Sequence, residues 1–275
     1  MLECELRRQT RSEGMEFTGE RLVPKKLKVT DETYQEHMER YKFAAGLVGG
    51  MVVLDAACGA GYGTRMLSEK AASVIGIDIS DEAIQYARQN YSASNLKFEA
   101  KDLRQIIFPD ASFDAVVSFE TIEHIENPEL FLDEIRRVLK PGGLLILSTP
   151  NVETSCEGAA VHVPFHVKEF TLSEMMTLLN DFTDFSVYAQ KMTYHRRLYK
   201  KVRLLSRYVP EWIRETILRR WAHKILTPHK IPVLLRIFIY EYAYKAALIP
   251  CVEKNAAIKP TFFVIKCCLK GAEIC

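Results

Sequence analysis

Short apolar runs rich in Val, Ile and Phe alternate along this chain with longer segments whose apolar residues recur at helical spacing. The first run, Met51 to Asp55, passes into Ala56-Ala57-Cys58-Gly59-Ala60-Gly61-Tyr62-Gly63, and Thr64 to Ser68 has the composition of a helix start. Ser73 to Asp78 predicts a second strand, and Ser80 is placed to cap a helix over Asp81 to Tyr91. Leu96 to Lys101 and Phe113 to Phe119 predict the third and fourth strands. Asn127-Pro128 opens a helix that Lys140-Pro141-Gly142-Gly143 ends, and Leu144 to Thr149 predicts the fifth strand. Thr171-Leu172-Ser173-Glu174 has capping-box spacing, Phe185 to Gln190 predicts a sixth strand and Thr261 to Leu269 the last. Upstream, Thr30 is placed to cap a helix reaching Val48, which Gly49-Gly50 stop.

This alternation predicts an α/β chain with a doubly wound, mostly parallel seven-stranded sheet, helices on both faces, and ligands outside the carboxyl ends of the strands. Residues 1–29 are expected to be a tail and loop, 30–192 the main domain, 193–258 a helical insert, and 259–275 to return the final strand to the sheet.

Seven scattered cysteines without metal-type pair spacing predict reduced thiols and a cytoplasmic setting. The apolar segment Ile231 to Pro250 is interrupted by Arg236, Glu241 and Lys245, so it reads as a packed helix and not as a membrane span.

Three acids, Asp55, Asp78 and Asp102, end successive strands at intervals of 23 and 24 residues. In an open parallel sheet those ends line one crevice, so three carboxylates and a glycine loop face one ligand. An acid about twenty residues after the glycines suits the two hydroxyls of a ribose, and one at the next strand end can accept from an adenine amino group. A nicotinamide site fits poorly, because Thr64 occupies the third position of Gly-x-Gly-x-x-Gly.

Asp55-x-Ala57-x-Gly59-x-Gly61, Val74 to Asp78, Lys101-Asp102, Phe113 to Glu120 and Arg137 to Pro150 together resemble the class I S-adenosylmethionine-dependent methyltransferases, whose sheet is Rossmann-like. The resemblance implies that Gly59 and Gly61 admit the methionine part of the cofactor, that Asp78 binds its ribose and Asp102 its adenine, and that Phe119 lies beside it. It also implies Asp55 and Ala57 as loop residues of that site. Ala57 stands where the family usually has glycine. Thr18 to Pro24 and Glu36 to Tyr41 resemble relatives that act in glycan biosynthesis, with Arg40 a candidate for the cofactor carboxylate.

Glu120, Glu123 and His124 stand at i, i+3 and i+4 after the fourth strand, and His166 follows the fifth; His162 is a weaker candidate. On one helical turn the first three would share a face, and with His166 they form a candidate site for a divalent cation such as Mg²⁺. The arrangement resembles those of small-RNA 3′-terminal 2′-O-methyltransferases and quinone-pathway O-methyltransferases. Both imply a metal gripping neighbouring hydroxyls, and a sugar diol fits equally. The alternatives are metal-free proton transfer by His124 or His166, with Glu123 beside them, and acids that merely start a helix. The expected activity is O-methylation of a sugar hydroxyl in a glycan or glycolipid. A quinone precursor or RNA terminus, or a catalytically silent cofactor-binding protein, are the other readings.

Residues 195–236 hold twelve Arg or Lys against two Glu on a chain whose net charge is +2. Within them Ile213, Ile217, Trp221 and Ile225 recur every four residues, predicting a basic amphipathic helix. It reads either as a solvated face of a docked helix or as a surface for an anionic partner. A membrane or lipid-linked glycan is the expected partner, placing the protein peripherally at a membrane, while nucleic acid is less suited for want of a stacking motif.

Overall fold

The computed structural model describes residues 32–155, 166–190, 248–250 and 262–270. The Thr30 cap, His162 and the basic segment 195–236 lie outside them. In chain order the elements are α1 (Glu32–Leu47), β1 (Val52–Ala56), α2 (Tyr62–Leu67), β2 (Ser73–Asp78), α3 (Asp81–Asn90), β3 (Leu96–Ala100) and β4 (Phe113–Phe119). A 3₁₀ turn (Ile122–His124), α4 (Pro128–Val138), β5 (Leu139–Pro150), α5 (Val152–Ser155), α6 (Leu172–Leu178), β6 (Phe182–Gln190), β7 (Leu248–Pro250) and β8 (Phe262–Leu269) follow.

The strands form one sheet in the order β3-β2-β1-β4-β5-β8-β6-β7. The first five are parallel, and β8 runs antiparallel between β5 and β6. Seven of these are the expected strands. The eighth, β7, is a three-residue addition that pairs antiparallel with Tyr188 to Gln190 at the sheet edge. It falls within the range read as a helical insert, where helical spacing gave no sign of an edge pairing so short. Strand β6 also starts earlier than expected, with a bulge between Thr183 and Ser186 around Asp184, whose φ is 54°.

Adjacent residues of each central strand face opposite sides, as strand geometry requires. Leu54, Val116, Leu145, Leu147, Phe263 and Ile265 join Phe131, Leu132, Ile135 and Val138 of α4 and Met175 of α6 in one core. Val53, Ala115, Val117, Leu144, Ile146 and Val264 join Tyr41, Ala44 and Val48 around α1, and Leu67 of α2, in the other. Each fully buried aliphatic or aromatic side chain is worth about 1.5–3 kcal/mol, so these two layers clamp the sheet and fix where its strand ends lie.

Helix starts follow the expected chemistry. Ser80 Oγ accepts from Ala83 N at 3.2 Å, and Thr171 and Glu174 form a reciprocal capping box. Asn127 occupies the N-cap of α4 without a side-chain cap bond, and Pro128 takes the first helical turn. Among the described residues, no helix is long and apolar enough to cross a membrane.

Candidate functional site

In this strand order the winding direction reverses between β1 and β4, so the loops after these neighbours diverge and leave a crevice. A cleft of about 880 Å³ opens there, and Gly59, Asp78, Asp102, Phe119, Glu120, Glu123, His124 and His166 all line it.

The glycine loop is wired to β2. Cys58 N donates to the Ile77 carbonyl at 2.8 Å, and Gly59 N donates to Asp78 Oδ2 at 2.9 Å. Asp78 Oδ1 accepts from Ser80 N at 2.9 Å. Two main-chain donors thus hold this carboxylate at the cleft wall. Gly61 caps α2 with φ 83°, and a Cβ there would come within 2.6 Å of Ala87 Cβ, so only glycine fits. Ala57 adopts the same left-handed region, φ 66°, despite its side chain.

Three residues expected at the cofactor do not reach the cleft. Asp55 is fully buried beneath the loop, accepting from Thr64 Oγ1 at 2.7 Å and Tyr41 Oη at 3.2 Å. Burial pushes its carboxyl up from 3.8 to about 7, against those two hydroxyl donors. It braces the loop from below. Gly61 likewise shapes the loop without forming its wall. Arg40 is 1% exposed, donating to Gln190 Oε1 at 2.6 Å and lying 3.6 Å from Glu120 Oε1, with its guanidinium 4.9 Å from the Phe262 ring centre. Buried charge demands partners, and Arg40 has found protein ones.

Asp102 does line the cleft, but Arg104 forks onto its carboxylate at 2.6–3.1 Å, and these hydrogen bonds hold the acid below its usual range. An adenine amino group would have to share those oxygens. Phe119 stands edge-on to Tyr41, ring centres 5.0 Å apart.

Glu123, His124 and His166 converge: one potential ligand atom from each lies within 4.8 Å of the others. Glu123 is wholly buried; its Oε2 accepts from Thr149 Oγ1 at 3.0 Å, and its Oε1 has no hydrogen-bond partner. Burial, with the neighbouring Glu120 charge, raises its carboxyl well above the usual range. The two imidazoles meet edge to face at 4.9 Å between ring centres. Glu120 stands apart from this set. It has φ 51° and precedes the 3₁₀ turn, so the i, i+3, i+4 geometry of one helical face does not hold. Its Oε1 accepts from Ser148 Oγ at 2.7 Å.

Sequence reasoning missed His37, Tyr41, Tyr62 and Arg104, all of which line the cleft. His37 and Tyr41 are one helical turn apart on α1, a spacing that signals a shared face once α1 is known to cover the strand ends. Tyr62 Oη and His37 Nδ1 are 2.9 Å apart, tying α1 to α2.

Residues 54–147 match the methyltransferase domain family. A probable S-adenosylmethionine-dependent methyltransferase of Mycolicibacterium smegmatis is 35% identical over 169 residues, covering 60% of this chain and 64% of the relative. The human mitochondrial ubiquinone biosynthesis O-methyltransferase is 41% identical over 108 residues, covering 37% of this chain and 29% of the relative. The chain therefore spans less than two thirds of the length of these relatives. A crystal structure of a methyltransferase from Thermotoga maritima, a possible histamine N-methyltransferase, superposes with a TM-score of 0.56 over 87% of this chain and 92% of its own at 16% identity. That likeness concerns the fold, which here includes the loop-to-Asp78 cradle at the switch point. Residues 54–147 thus form a methyltransferase domain, and the sheet built around them has the fold of the class I S-adenosylmethionine-dependent methyltransferases.

Proposed function

We propose that this protein transfers a methyl group from S-adenosylmethionine to a hydroxyl oxygen, one of a neighbouring pair on a saccharide or glycolipid intermediate. The observation that carries the reading is that the loop-to-Asp78 cradle and the Glu123-His124-His166 cluster open into the same cleft.

The cradle fits the cofactor. Gly59 has open space where a side chain would be, Asp78 is a carboxylate held at the cleft wall and of the type that binds ribose hydroxyls, and Phe119 supplies apolar wall. When bound, S-adenosylmethionine supplies an electrophilic methyl on a sulfonium sulfur that departs as a thioether. The protein's own contributions are alignment of the acceptor oxygen and removal of its proton. With no cation in the cluster, His124 or His166 would be the proton acceptor, since a neutral imidazole carries one lone pair.

The same set fits a divalent cation, because Glu123 Oε1 is a buried acceptor without a hydrogen bond and stands with two imidazoles. A cation there would lower the pKa of a hydroxyl bound to it. Glu123, His124 and His166 would hold it, without Glu120.

A second reading, methylation of a quinone precursor, is favoured by the name of the human relative, an O-methyltransferase of ubiquinone biosynthesis. Labelled-methyl transfer to a panel containing a lipid-linked saccharide and a catechol tests both. Alkali-stable label on the saccharide is expected, as a methyl ether; label on the catechol alone would move the assignment to the second reading. EDTA is expected to abolish transfer, and full turnover in its presence would remove the cation.

We further propose that residues 195–236 bring the chain to anionic membrane surfaces, supported by their surplus of ten positive charges.

A further inference from the structure

Two side chains to which the sequence assigned no site role stand directly behind the cluster. Thr149, near the end of β5, is fully buried and donates from Oγ1 to Glu123 Oε2 at 3.0 Å. That bond occupies one oxygen of Glu123 and leaves Oε1 as a buried acceptor with no hydrogen bond. A buried acceptor left so carries a desolvation penalty that is relieved when a ligand takes it. Glu169 Oε1 lies 2.8 Å from His166 Nδ1, with its side chain 12% exposed. A carboxylate only accepts, so the proton of a neutral His166 sits on Nδ1 and Nε2 presents its lone pair.

The main chain locks the two halves together. Val167 N and Lys168 N both donate to the Glu123 carbonyl, at 2.8 and 3.2 Å, so the loop bearing His166 is pinned to the turn bearing Glu123 and His124. Lys168 Nζ pairs with Glu174 at 3.0 Å and ties that loop to α6.

We infer that Thr149 and Glu169 are positioning residues: Thr149 sets the Glu123 carboxylate and Glu169 sets the His166 tautomer, so that Glu123 Oε1, His166 Nε2 and His124 present one site to a divalent cation. The inference rests on the cation reading above and adds the residues that make it selective in geometry. Partners of this kind fix ring orientation and raise ligand basicity, and their loss typically costs about 10–100-fold in metal affinity.

The test uses the full chain and Mn²⁺ alone, titrated calorimetrically, with S-adenosylhomocysteine affinity measured on the same samples. Thr149→Val and Glu169→Ala are each expected to weaken Mn²⁺ binding by about 10–100-fold while cofactor-product affinity stays within about two-fold. Thr149→Ser, which keeps the hydroxyl, and Glu169→Gln, which keeps an accepting oxygen, are expected to recover most of the loss. Unchanged Mn²⁺ affinity in Thr149→Val and Glu169→Ala, with Glu123→Ala abolishing it, would overturn the positioning roles and leave the cation reading standing. A wild-type chain that binds no Mn²⁺ would overturn both. A parallel loss of S-adenosylhomocysteine affinity would make the effect one of packing and count against the inference.

Discussion

Ala57 holds a left-handed backbone, φ 66°, at the first turn of the glycine loop. For a residue with a Cβ this conformation costs about 1–2 kcal/mol, while glycine adopts it freely at a smaller entropic cost. Ala57→Gly is therefore expected to stabilise the protein by about 0.5–1 kcal/mol in urea unfolding; a loss of stability would show that the methyl makes contacts that outweigh the strain. Asp55 predicts a pH effect. Its folded-state pKa lies near 7, against 3.8 ordinarily, so the folded state binds this proton more tightly than the unfolded chain. Its contribution to stability is full below about pH 4 and is lost as pH rises through 7, each unit of the window being worth at most about 1.4 kcal/mol. Between pH 4 and 7 the wild type should lose stability relative to Asp55→Asn. A difference in unfolding midpoint that does not change with pH would remove that explanation.

At the level of elements, most of what frames the site follows from short-range rules. Helix α6 has only seven residues, and its capping box satisfies donors that so short a helix cannot. Thr171→Ala should cost about 1 kcal/mol, measured by chemical denaturation, and no loss would mean that α6 is held by Met175 and its neighbours alone. The strand ends bearing Asp78 and Asp102, the loop glycines and the convergence of His124 with His166 were legible because period and spacing dictate them. The roles of Asp55 and Arg40 were not, because spacing tells which end of a strand a residue occupies but not whether it faces the cleft or lies beneath it. Arg40 became visible only once β6 and β8 brought Gln190 and Phe262 beside α1. Glu120 was misplaced for a local reason: a helical turn was assumed to begin at a residue whose φ is positive. Thr149 lies in the Arg137–Pro150 run but read only as the end of a strand, nothing marked Glu169, and only the tertiary path of β5 and its following loop makes them neighbours of the cluster.

At the scale of the whole molecule, the winding reversal between β1 and β4 opens one cleft, with the loop-to-Asp78 cradle on one side and the histidine cluster on the other. Charge is divided as unevenly as chemistry, since residues 195–236 carry a surplus of ten positive charges in a chain of net +2. The full chain is expected to sediment with anionic vesicles at low salt and to stay in solution at about 1 M salt, where screening is nearly complete; absence from the pellet at low salt would sink the membrane proposal. The central claim is narrower, that the cleft at the ends of β1, β2 and β4 is a methyl-donor site held by Asp78. Calorimetric titration with S-adenosylhomocysteine, wild type against Asp78→Ala, tests it most directly. Saturable binding by the wild type, at least about ten-fold weaker in the variant and absent with NAD, is the predicted result, since losing charged hydrogen bonds costs about 1.5–3 kcal/mol. Equal affinity in the two proteins, or no binding by the wild type, would contradict it.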